Sequence, residues 1–321
     1  MKRFLFFAVL VGPVLLAQAL EDPVILTIDT ENAVLYRGLV FDASKLAKDP
    51  GPTTSVNTTF GPSIVIGDIV AVNGKPAKGI WQYTVSFTTP YKRIPQPGQP
   101  IADVDSTATL FCTWQIYATD GTYLGMIRDS GTGATGQGGH AVVGALANLF
   151  GAIGTHTMNF TVPSREATTA EDPANRRNLG GGKMTAVFYL YPRVRPSVQI
   201  TATGPSIFHT DYSPVTAANP AHPGELLILG ATGLGPVRPL LEPPGAIEFS
   251  GPPYQEVNSP VTVRFNGKEL PVTNKIGWPG QKSLYWVDFQ VPSDASSGTA
   301  TLQLIATWIP GPVVTIPVSA R

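Results

Sequence analysis

The feature that most constrains this fold is a repeated alternation between short β-like runs and tight turn residues. It is clearest at residues 109–128, where two runs flank Asp120-Gly121. Asp-Gly tolerates the positive φ angles that a two-residue hairpin turn requires, and the flanking runs alternate as β-strands do. The chain also contains 33 Gly and 31 Pro, so turn residues recur too often for long helices. The sequence therefore predicts an all-β protein.

The first run of this hairpin carries aromatic or apolar side chains on both of its faces. Alternate residues of a strand point to opposite sides of the sheet. One face carries Leu110, Cys112, Trp114 and Ile116, and the other carries Phe111, Thr113, Gln115 and Tyr117. Such a strand is expected to line a barrel interior with one face and to be covered by packing on the other. The run therefore favours a β-barrel for the N-terminal part.

A Pro-rich stretch divides the chain into two parts. Residues 204–223 contain Pro205, Pro214, Pro220 and Pro223 among small polar residues, which is typical of a domain boundary. A chain of 321 residues also exceeds the usual size of one hydrophobic core. Strand-like runs separated by turn residues, such as Asn266-Gly267, continue beyond it and predict a β-sandwich. We expect a barrel domain at 20–203 and a sandwich domain at 204–321.

The N-terminus has the parts of a secretory signal peptide. Lys2 and Arg3 precede an apolar run at 4–16, and Ala17-Gln18-Ala19 offers the small residues that a signal peptidase recognises. The alternative is a membrane anchor, but the run is shorter than the roughly 20 residues that span a bilayer. We expect residues 1–19 to be cleaved and the mature protein to be secreted, whether extracellular, periplasmic or cell-surface, with no membrane span.

The charged residues and histidines argue against several function classes. Lys+Arg and Asp+Glu both number 22 and no basic block is present, so nucleic acid is not an expected partner. The histidines show none of the spacings of metal-binding motifs, so the sequence predicts neither a metal site nor a cofactor. They are His140, His156, His209 and His222.

The single cysteine, Cys112, cannot form an internal disulfide. Its alternation with apolar residues predicts a small, buried hydrophobe. A nucleophilic role would require a histidine partner, which the sequence does not place.

The most charged stretch, 163–182, is the best helix candidate. Ser164 could cap a helix that Pro173 limits to a turn or two. Arg176 and Arg177 could bind an anion, although a solvated loop is the usual explanation for such a run.

The C-terminal third contains an ordered set of turn and strand motifs. They are Pro223-Gly224-Glu225, Thr232-Gly233-Leu234-Gly235-Pro236, Pro279-Gly280, Leu284-Tyr285 and Gln290-Val291-Pro292. In these motifs the chain resembles a domain family found at the ends of many secreted acidobacterial proteins, related in pattern to immunoglobulin-like IPT/TIG modules. The resemblance covers residue 204 to the C-terminus and implies an immunoglobulin-like β-sandwich without catalytic residues.

The N-terminal part contains Val40-Phe41-Asp42, followed by Leu46 and Gly51-Pro52, and then the Asp120-Gly121 hairpin and an apolar run at 141–155. In these features it resembles the dirigent and allene-oxide-cyclase barrel group, whose first strand and turn and next strands fall at these places. The resemblance implies an eight-stranded barrel with an apolar interior, wide enough for one small ligand.

The sequence is compatible with three functions. The first is a non-enzymatic binding or adhesive protein, with a small apolar ligand in the barrel or an extracellular glycan or protein as partner. The second is a cyclase or dirigent-like enzyme, in which Asp42 acts as acid or base and His140 or Arg128 stabilises charge. Alternatively, Asp42 caps a turn and His140 is a loop residue. The third is carbohydrate binding by exposed aromatic rings, for which the candidates are Trp81, Tyr83 and Tyr91.

Overall fold

The computed structural model describes residues 22–37, 63–87, 108–132, 140–147, 149, 151–168, 171–239 and 247–320. β-strands make up most of them, and these residues contain a single α-helix, which is four residues long. No helix within the described ranges has the length and apolar character that crossing a membrane requires. The all-β prediction is confirmed.

Nine strands form the N-terminal sheet. They are β1 (Val24–Arg37), β2 (Ser63–Val72), β3 (Lys75–Phe87), β4 (Ala108–Tyr117), β5 (Tyr123–Thr132), β6 (His140–Ala147), β7 (Ile153–Val162), β8 (Arg165–Thr168) and β9 (Gly182–Tyr191). Eight of them follow the order β2-β3-β4-β5-β6-β7-β9-β1, and pairing between β1 and β2 closes the ring. β8 lies outside the ring and pairs in parallel with the end of β1. The expected eight-stranded barrel is confirmed.

Large side chains fill the described interior of this barrel. Leu26, Ile28, Trp81, Trp114 and Phe188 are each less than 2% exposed. Trp114 is central, because its ring stacks 5.4 Å from that of Trp81 and meets that of Phe188 edge-on at 5.1 Å. The inward face of β4 is therefore buried as its alternation predicted.

The outer face of β4 differs from the prediction that both faces are buried. Phe111 is 60% exposed, and Thr113, Gln115 and Tyr117 are only partly buried. A closed barrel is a single layer, so its outer face is covered only where another part of the chain packs on it.

The charged stretch at 163–182 also folds differently from the prediction. Its α-helix, α1 (Arg176–Leu179), begins after Pro173 and not before it. Pro173 opens a short 3-10 turn (Pro173–Asn175) whose cap is Asp172, not Ser164. Proline suits this first position because its missing N–H would have no partner within the turn.

Arg176 and Arg177 bind a carboxylate of the protein itself. Arg177 donates to both oxygens of Asp68, over 2.8 and 2.7 Å, and Arg176 donates to Asp68 as well. Asn32 adds a hydrogen bond of 3.0 Å. Burial alone would raise the pKa of Asp68, but these hydrogen bonds outweigh it and leave the pKa lowered. Asp68 therefore fills the anion site that the two arginines could form, and it fastens α1 to β2.

Twelve further strands follow, most of them in a second sheet. They are β10 (Ser197–Val198), β11 (Ile200–Thr201), β12 (Gly204–Pro205), β13 (Ile207–Phe208), β14 (Leu226–Thr232), β15 (Val237–Arg238), β16 (Glu256–Val257), β17 (Val261–Phe265), β18 (Lys268–Gly277), β19 (Tyr285–Gln290), β20 (Gly298–Ala306) and β21 (Ile309–Val318). β18 pairs first with β17 and then with β19, so it passes between two layers. Phe265 and Phe289 meet between the layers at 6.4 Å. This nearly closed, two-layered sheet agrees with the predicted β-sandwich.

The second sheet begins before the predicted boundary at 203/204. β10 already pairs with β14, through Thr232 and Ala231. The Pro-rich stretch is also part of the folded unit, since the Ala221 N–H donates to the Pro317 carbonyl and the Ser319 N–H donates to the Ala221 carbonyl. Its prolines mark irregular backbone that packs on the sheet. We therefore call residues 24–191 the barrel and residues 197–318 the second domain.

The hairpin between β20 and β21 closes one end of the barrel. Its tip residues, Thr307 and Trp308, have φ angles of 46° and 69°, which β-branched and bulky residues adopt only at a cost. Ile309 is buried in the hydrophobic core of the barrel, and Trp308 packs against that core. The strained turn is therefore located where the second domain docks on the barrel, and the docking contacts offset its cost.

Candidate functional site

Four inward-facing side chains from neighbouring strands meet inside the barrel. They are Cys112 on β4, Asp129 on β5, His140 on β6 and His156 on β7, and each is at most 3% exposed. Cross-strand pairing explains the arrangement, because Cys112 lies opposite Asp129 and His140 lies opposite His156. A register irregularity of the kind that often re-aims side chains lies beside Asp129. We call these four residues, together with Trp114, the polar centre.

Asp129 accepts hydrogen bonds from three members of the polar centre. Trp114 Nε1–H donates to Oδ2 over 2.7 Å, and His140 Nδ1–H donates to Oδ1 over 2.9 Å. The Cys112 thiol also donates to Asp129 and has its Sγ 3.8 Å from His140 Nδ1. Burial alone would raise the pKa of Asp129, but the hydrogen bonds and the nearby His156 lower it. Asp129 is therefore an ionised carboxylate that is held by protein donors.

His156 is wholly enclosed, and neither of its ring nitrogens has a hydrogen-bond partner among the described residues. Nδ1 lies 3.9 Å from Asp129 Oδ2, and the ring lies 4.6 Å from that of His140. Burial lowers the pKa of His156 to about 4 against the charge of Asp129, and His140 adds to the decrease. His156 is therefore neutral near pH 7, and one of its ring nitrogens carries a lone pair that accepts no hydrogen bond from the described residues.

Of the two sequence-predicted site residues that the structure describes, only His140 belongs to the polar centre. His140 is part of strand β6, so its interpretation as a loop residue is wrong. Arg128 is exposed on the outer face of β5, next to the inward-facing Asp129, and does not approach His140 from that side. Asp42 lies outside the described residues.

Sequence reasoning missed Asp129 and His156 as members of a site, and it did not pair Cys112 with a histidine. The predicted burial of Cys112 is confirmed, with 2% exposure. One signal was available for part of the cluster. Asp129 and His140 stand at the two ends of a Gly-rich segment between two strand-like runs, and hairpin pairing places such residues side by side.

The aromatic residues considered for carbohydrate binding do not form an exposed row in the described residues. Trp81 is fully buried in the barrel, and its Nε1–H is among the buried groups without a partner. Tyr83 is partly buried, and its ring lies 5.2 Å from that of Trp81. Tyr91 lies outside the described residues. Trp81 therefore offers no ring face to a glycan at the surface.

A cleft of about 340 Å³ lies where the barrel meets the second domain. Its lining residues include Asn73, Lys75 and Leu124 from the barrel and Arg264, Glu269 and Trp308 from the second domain. Lys75 Nζ lies 3.2 Å from Glu269 Oε1, so an ion pair connects the two parts. Arg264 Nη1 donates to Gln303 Oε1 over 2.9 Å. The cleft thus combines charged and amide side chains with an apolar and aromatic surface.

The other two histidines belong to the second domain, where both are held by protein groups. His209 Nδ1 lies 2.6 Å from Glu225 Oε1, and His222 Nδ1 donates to the Ser319 carbonyl over 2.7 Å. Neither is simply solvated, and His209 is only 8% exposed.

The chemistry of the polar centre favours holding a bound group over attacking a substrate. Burial raises the pKa of Cys112, and Asp129 adds to the increase, so the sulfur is a protonated thiol and not the reactive thiolate. All of its members are enclosed among large side chains, which excludes an organic substrate of ordinary size from contact with them in this arrangement.

The chain was compared with protein-family models, with curated proteins and with solved structures, and it matches none of them.

Proposed function

We propose that this chain is a secreted, non-enzymatic binding protein whose ligand site is the cleft between the barrel and the second domain. The observation that supports the proposal is the size and the composition of the cleft. A cleft of about 340 Å³ falls within the range of small-molecule sites. Secretion rests on the N-terminal sequence, which has the charged, apolar and small-residue segments of a signal peptide.

A short extracellular glycan is the ligand class that fits this lining best. Sugars present hydroxyl groups together with an apolar C–H face. Arg264, Glu269 and Asn73 offer planar donors and acceptors for hydroxyl groups, and Trp308 offers an aromatic surface for the apolar face. The proposal thereby moves carbohydrate recognition from Trp81, which is buried, and Tyr83, which is partly buried, to the region of Trp308.

The cleft is a better candidate than the barrel interior for the expected small ligand. Trp81, Trp114 and Phe188 fill the described interior, and Asp129 gives it a charged centre that a purely apolar molecule would not match. A cyclase or dirigent-like activity would depend on Asp42, and no observation on the described residues favours that alternative.

The test is a binding screen of the chain from Leu20 onwards against soluble oligosaccharides, followed by calorimetric titration of the strongest binder. We expect Arg264→Ala to weaken binding roughly 10- to 100-fold, because a hydrogen bond to a charged group contributes about 1.5–3 kcal/mol. Arg128→Ala is the matched control, since it removes the same side chain from the outer face of the barrel.

Two outcomes would reject the glycan proposal. In the first, no oligosaccharide binds to the folded protein. In the second, an oligosaccharide binds, but Arg264→Ala and Arg128→Ala have the same affinity as the unchanged chain.

A further inference from the structure

The polar centre contains three kinds of metal-ligating atom within a very small volume. The Cys112 sulfur, an Asp129 oxygen and a His140 nitrogen all lie within 4.8 Å of one another. Sγ is 3.8 Å from His140 Nδ1, which is 2.9 Å from Asp129 Oδ1. In a tetrahedral zinc site, metal–ligand distances of about 2.0–2.3 Å place neighbouring ligand atoms about 3.3–3.8 Å apart. Small side-chain rotations would therefore bring the three atoms onto one cation.

His156 provides a second observation that is independent of this cluster. Its ring is fully enclosed, neither nitrogen has a hydrogen-bond partner among the described residues, and Nδ1 is 3.9 Å from Asp129 Oδ2. A buried imidazole without partners has given up its hydrogen bonds to water and receives nothing in return. A cation beside Asp129 would supply the missing interaction, and His156 would then be the fourth ligand.

We propose that Cys112, Asp129, His140 and His156 form a closed, four-ligand site for a zinc-type divalent cation. A set of thiolate, carboxylate and imidazole ligands suits Zn²⁺ and its spectroscopic substitute Co²⁺, whereas Ca²⁺ and Mg²⁺ prefer oxygen ligands only. Four protein ligands leave no open position for a substrate, so the site is structural. The cation cross-links β4, β5, β6 and β7 inside the barrel.

Charge balance agrees with this ligand set. On binding, the Cys112 thiol gives up its proton to solvent, and His140 coordinates through Nδ1 with its proton on Nε2. One thiolate and one carboxylate then neutralise the cation, and the two imidazoles remain uncharged. The buried centre carries no net charge, which a low-dielectric interior requires.

Trp114 has a supporting role in the proposed site. Its Nε1–H donates to Asp129 Oδ2 over 2.7 Å and fixes the orientation of the carboxylate. Partners of this kind, which hold a ligand without touching the metal, commonly change metal affinity by about 10- to 100-fold when they are removed. Trp114 is therefore a positioning residue whose replacement tests the geometry without removing a ligand.

The experiment uses the chain from Leu20 onwards, without a polyhistidine tag, because a tag would bind the same metals. The protein is unfolded with a chelator, freed of metal and refolded with stoichiometric Co²⁺. We expect strong visible absorption from tetrahedral Co²⁺ and a near-ultraviolet band from sulfur-to-cobalt charge transfer. Zn²⁺ should displace Co²⁺ and remove both signals, and it should raise the thermal midpoint above that of the chelated protein.

Three variants test the assignment. Cys112→Ser should abolish the charge-transfer band, and Trp114→Phe should keep the band while weakening Co²⁺ binding by roughly 10- to 100-fold. His209→Gln is the matched control, because it removes a histidine from the second domain and should leave the band unchanged. Near-ultraviolet circular dichroism verifies that each variant has folded.

The inference does not depend on glycan binding at the cleft. It is overturned if the folded, unchanged chain gives no charge-transfer band and has the same thermal midpoint with Zn²⁺ as with chelator. It is also overturned if the band persists in folded Cys112→Ser. In either case the polar centre is a metal-free hydrogen-bond network. If a variant does not fold, the thermal midpoints of the unchanged chain with Zn²⁺ and with chelator decide the question, because that comparison needs no substitution.

Discussion

The barrel and the second domain are built from strands of similar alternation, but their interiors differ in kind. The second domain has an apolar core, in which Leu227, Leu229, Val287 and Phe289 are completely buried. The barrel encloses a carboxylate, Asp129, together with two histidines and a thiol. Among the described residues of the second domain, no carboxylate is buried to this extent.

This difference shows that alternation specifies which side chains face inward but not what holds them there. In the second domain the inward residues are mostly apolar, so the stability of this core depends on how completely their side chains fill its volume. In the barrel, the stability of the centre depends on whether every donor around Asp129 keeps its acceptor. An exchange between apolar side chains should therefore cost little in the second domain, whereas the loss of the carboxylate should cost much more in the barrel.

The largest expected effect is that of Asp129→Leu, which keeps the branched shape of the side chain and removes the carboxylate. Trp114 Nε1–H and His140 Nδ1–H lose their acceptor inside the barrel. We expect a loss of about 3–5 kcal/mol in the free energy of unfolding, because each buried donor left without an acceptor costs about 1–3 kcal/mol. Urea unfolding followed by tryptophan fluorescence measures it.

The control for this substitution is Leu229→Met in the apolar core of the second domain. It conserves volume, and it should cost less than about 1.5 kcal/mol. Equal losses from Asp129→Leu and Leu229→Met would remove the distinction between the two interiors. A double variant tests the same distinction further. Trp114→Phe should reduce the free energy of unfolding less in Asp129→Leu than in the unchanged chain, because the hydrogen bond between Trp114 and Asp129 is already absent.

The next effect in size is acid destabilisation of the metal-free protein through His156. Burial lowers its folded-state pKa to about 4 from an ordinary value of 6.5. Below pH 6.5 the unfolded chain binds a proton that the folded barrel does not bind. The contribution of His156 is therefore intact above pH 6.5 and is lost as the pH falls towards 4, by about 3 kcal/mol in total.

Urea unfolding of chelated protein at a series of pH values measures this loss. His156→Phe should remove most of the dependence, since a phenyl ring keeps the stacking on Phe188 and does not titrate. If the unchanged chain and His156→Phe lose stability in parallel between pH 7 and pH 4, the low pKa of His156 is wrong.

The smallest expected effect has the opposite sign and comes from the second domain. Burial alone would lower the pKa of His209, but the hydrogen bond to Glu225 and the Asn219 carbonyl leave the pKa raised. Its stabilising contribution is complete below about pH 6.5 and is lost as the pH rises through the raised folded-state pKa. The loss should be about 1 kcal/mol, because the cost of burying His209 opposes most of the gain from its hydrogen bond with Glu225.

Unfolding of the unchanged chain and of Glu225→Gln at pH 6 and pH 9 measures this contribution. The difference between the two proteins should shrink as the pH rises. A difference that stays constant or grows with pH would show that His209 is not protonated against Glu225 in the folded state.

Much of the architecture could be predicted from local patterns. The hairpin at Asp120-Gly121, the inward face of β4 and the burial of Cys112 all follow from residues that are close in sequence. The predicted two-residue turn is wrong in detail, because the turn spans residues 119–121 and only Gly121 has a positive φ. The errors arose where a distant partner decided the outcome. Asp68 is far from Arg176 and Arg177 in sequence, yet it binds both. Ser197–Val198 joins the second sheet because β14 offers it a free edge.

The candidate sites were less accessible to sequence reasoning than the fold. The histidines show no metal-binding spacing, because ligands on adjacent barrel strands are separated by whole hairpins and not by one helical turn. The cleft combines Lys75 with Glu269, which are 194 positions apart. No pattern in the chain indicates that the tip of the β20–β21 hairpin would enter the barrel.

By itself, the sequence determined the all-β class, the hairpin turns and the inward or outward direction of many side chains. These properties depend on φ preferences and on the two-residue period of a strand, which act over a few neighbouring residues. Only the tertiary structure decided that Cys112, Asp129, His140 and His156 meet, and that the second domain closes one end of the barrel. Barrel closure and strand register fix which inward residues become neighbours, and both arise from pairing along the whole sheet.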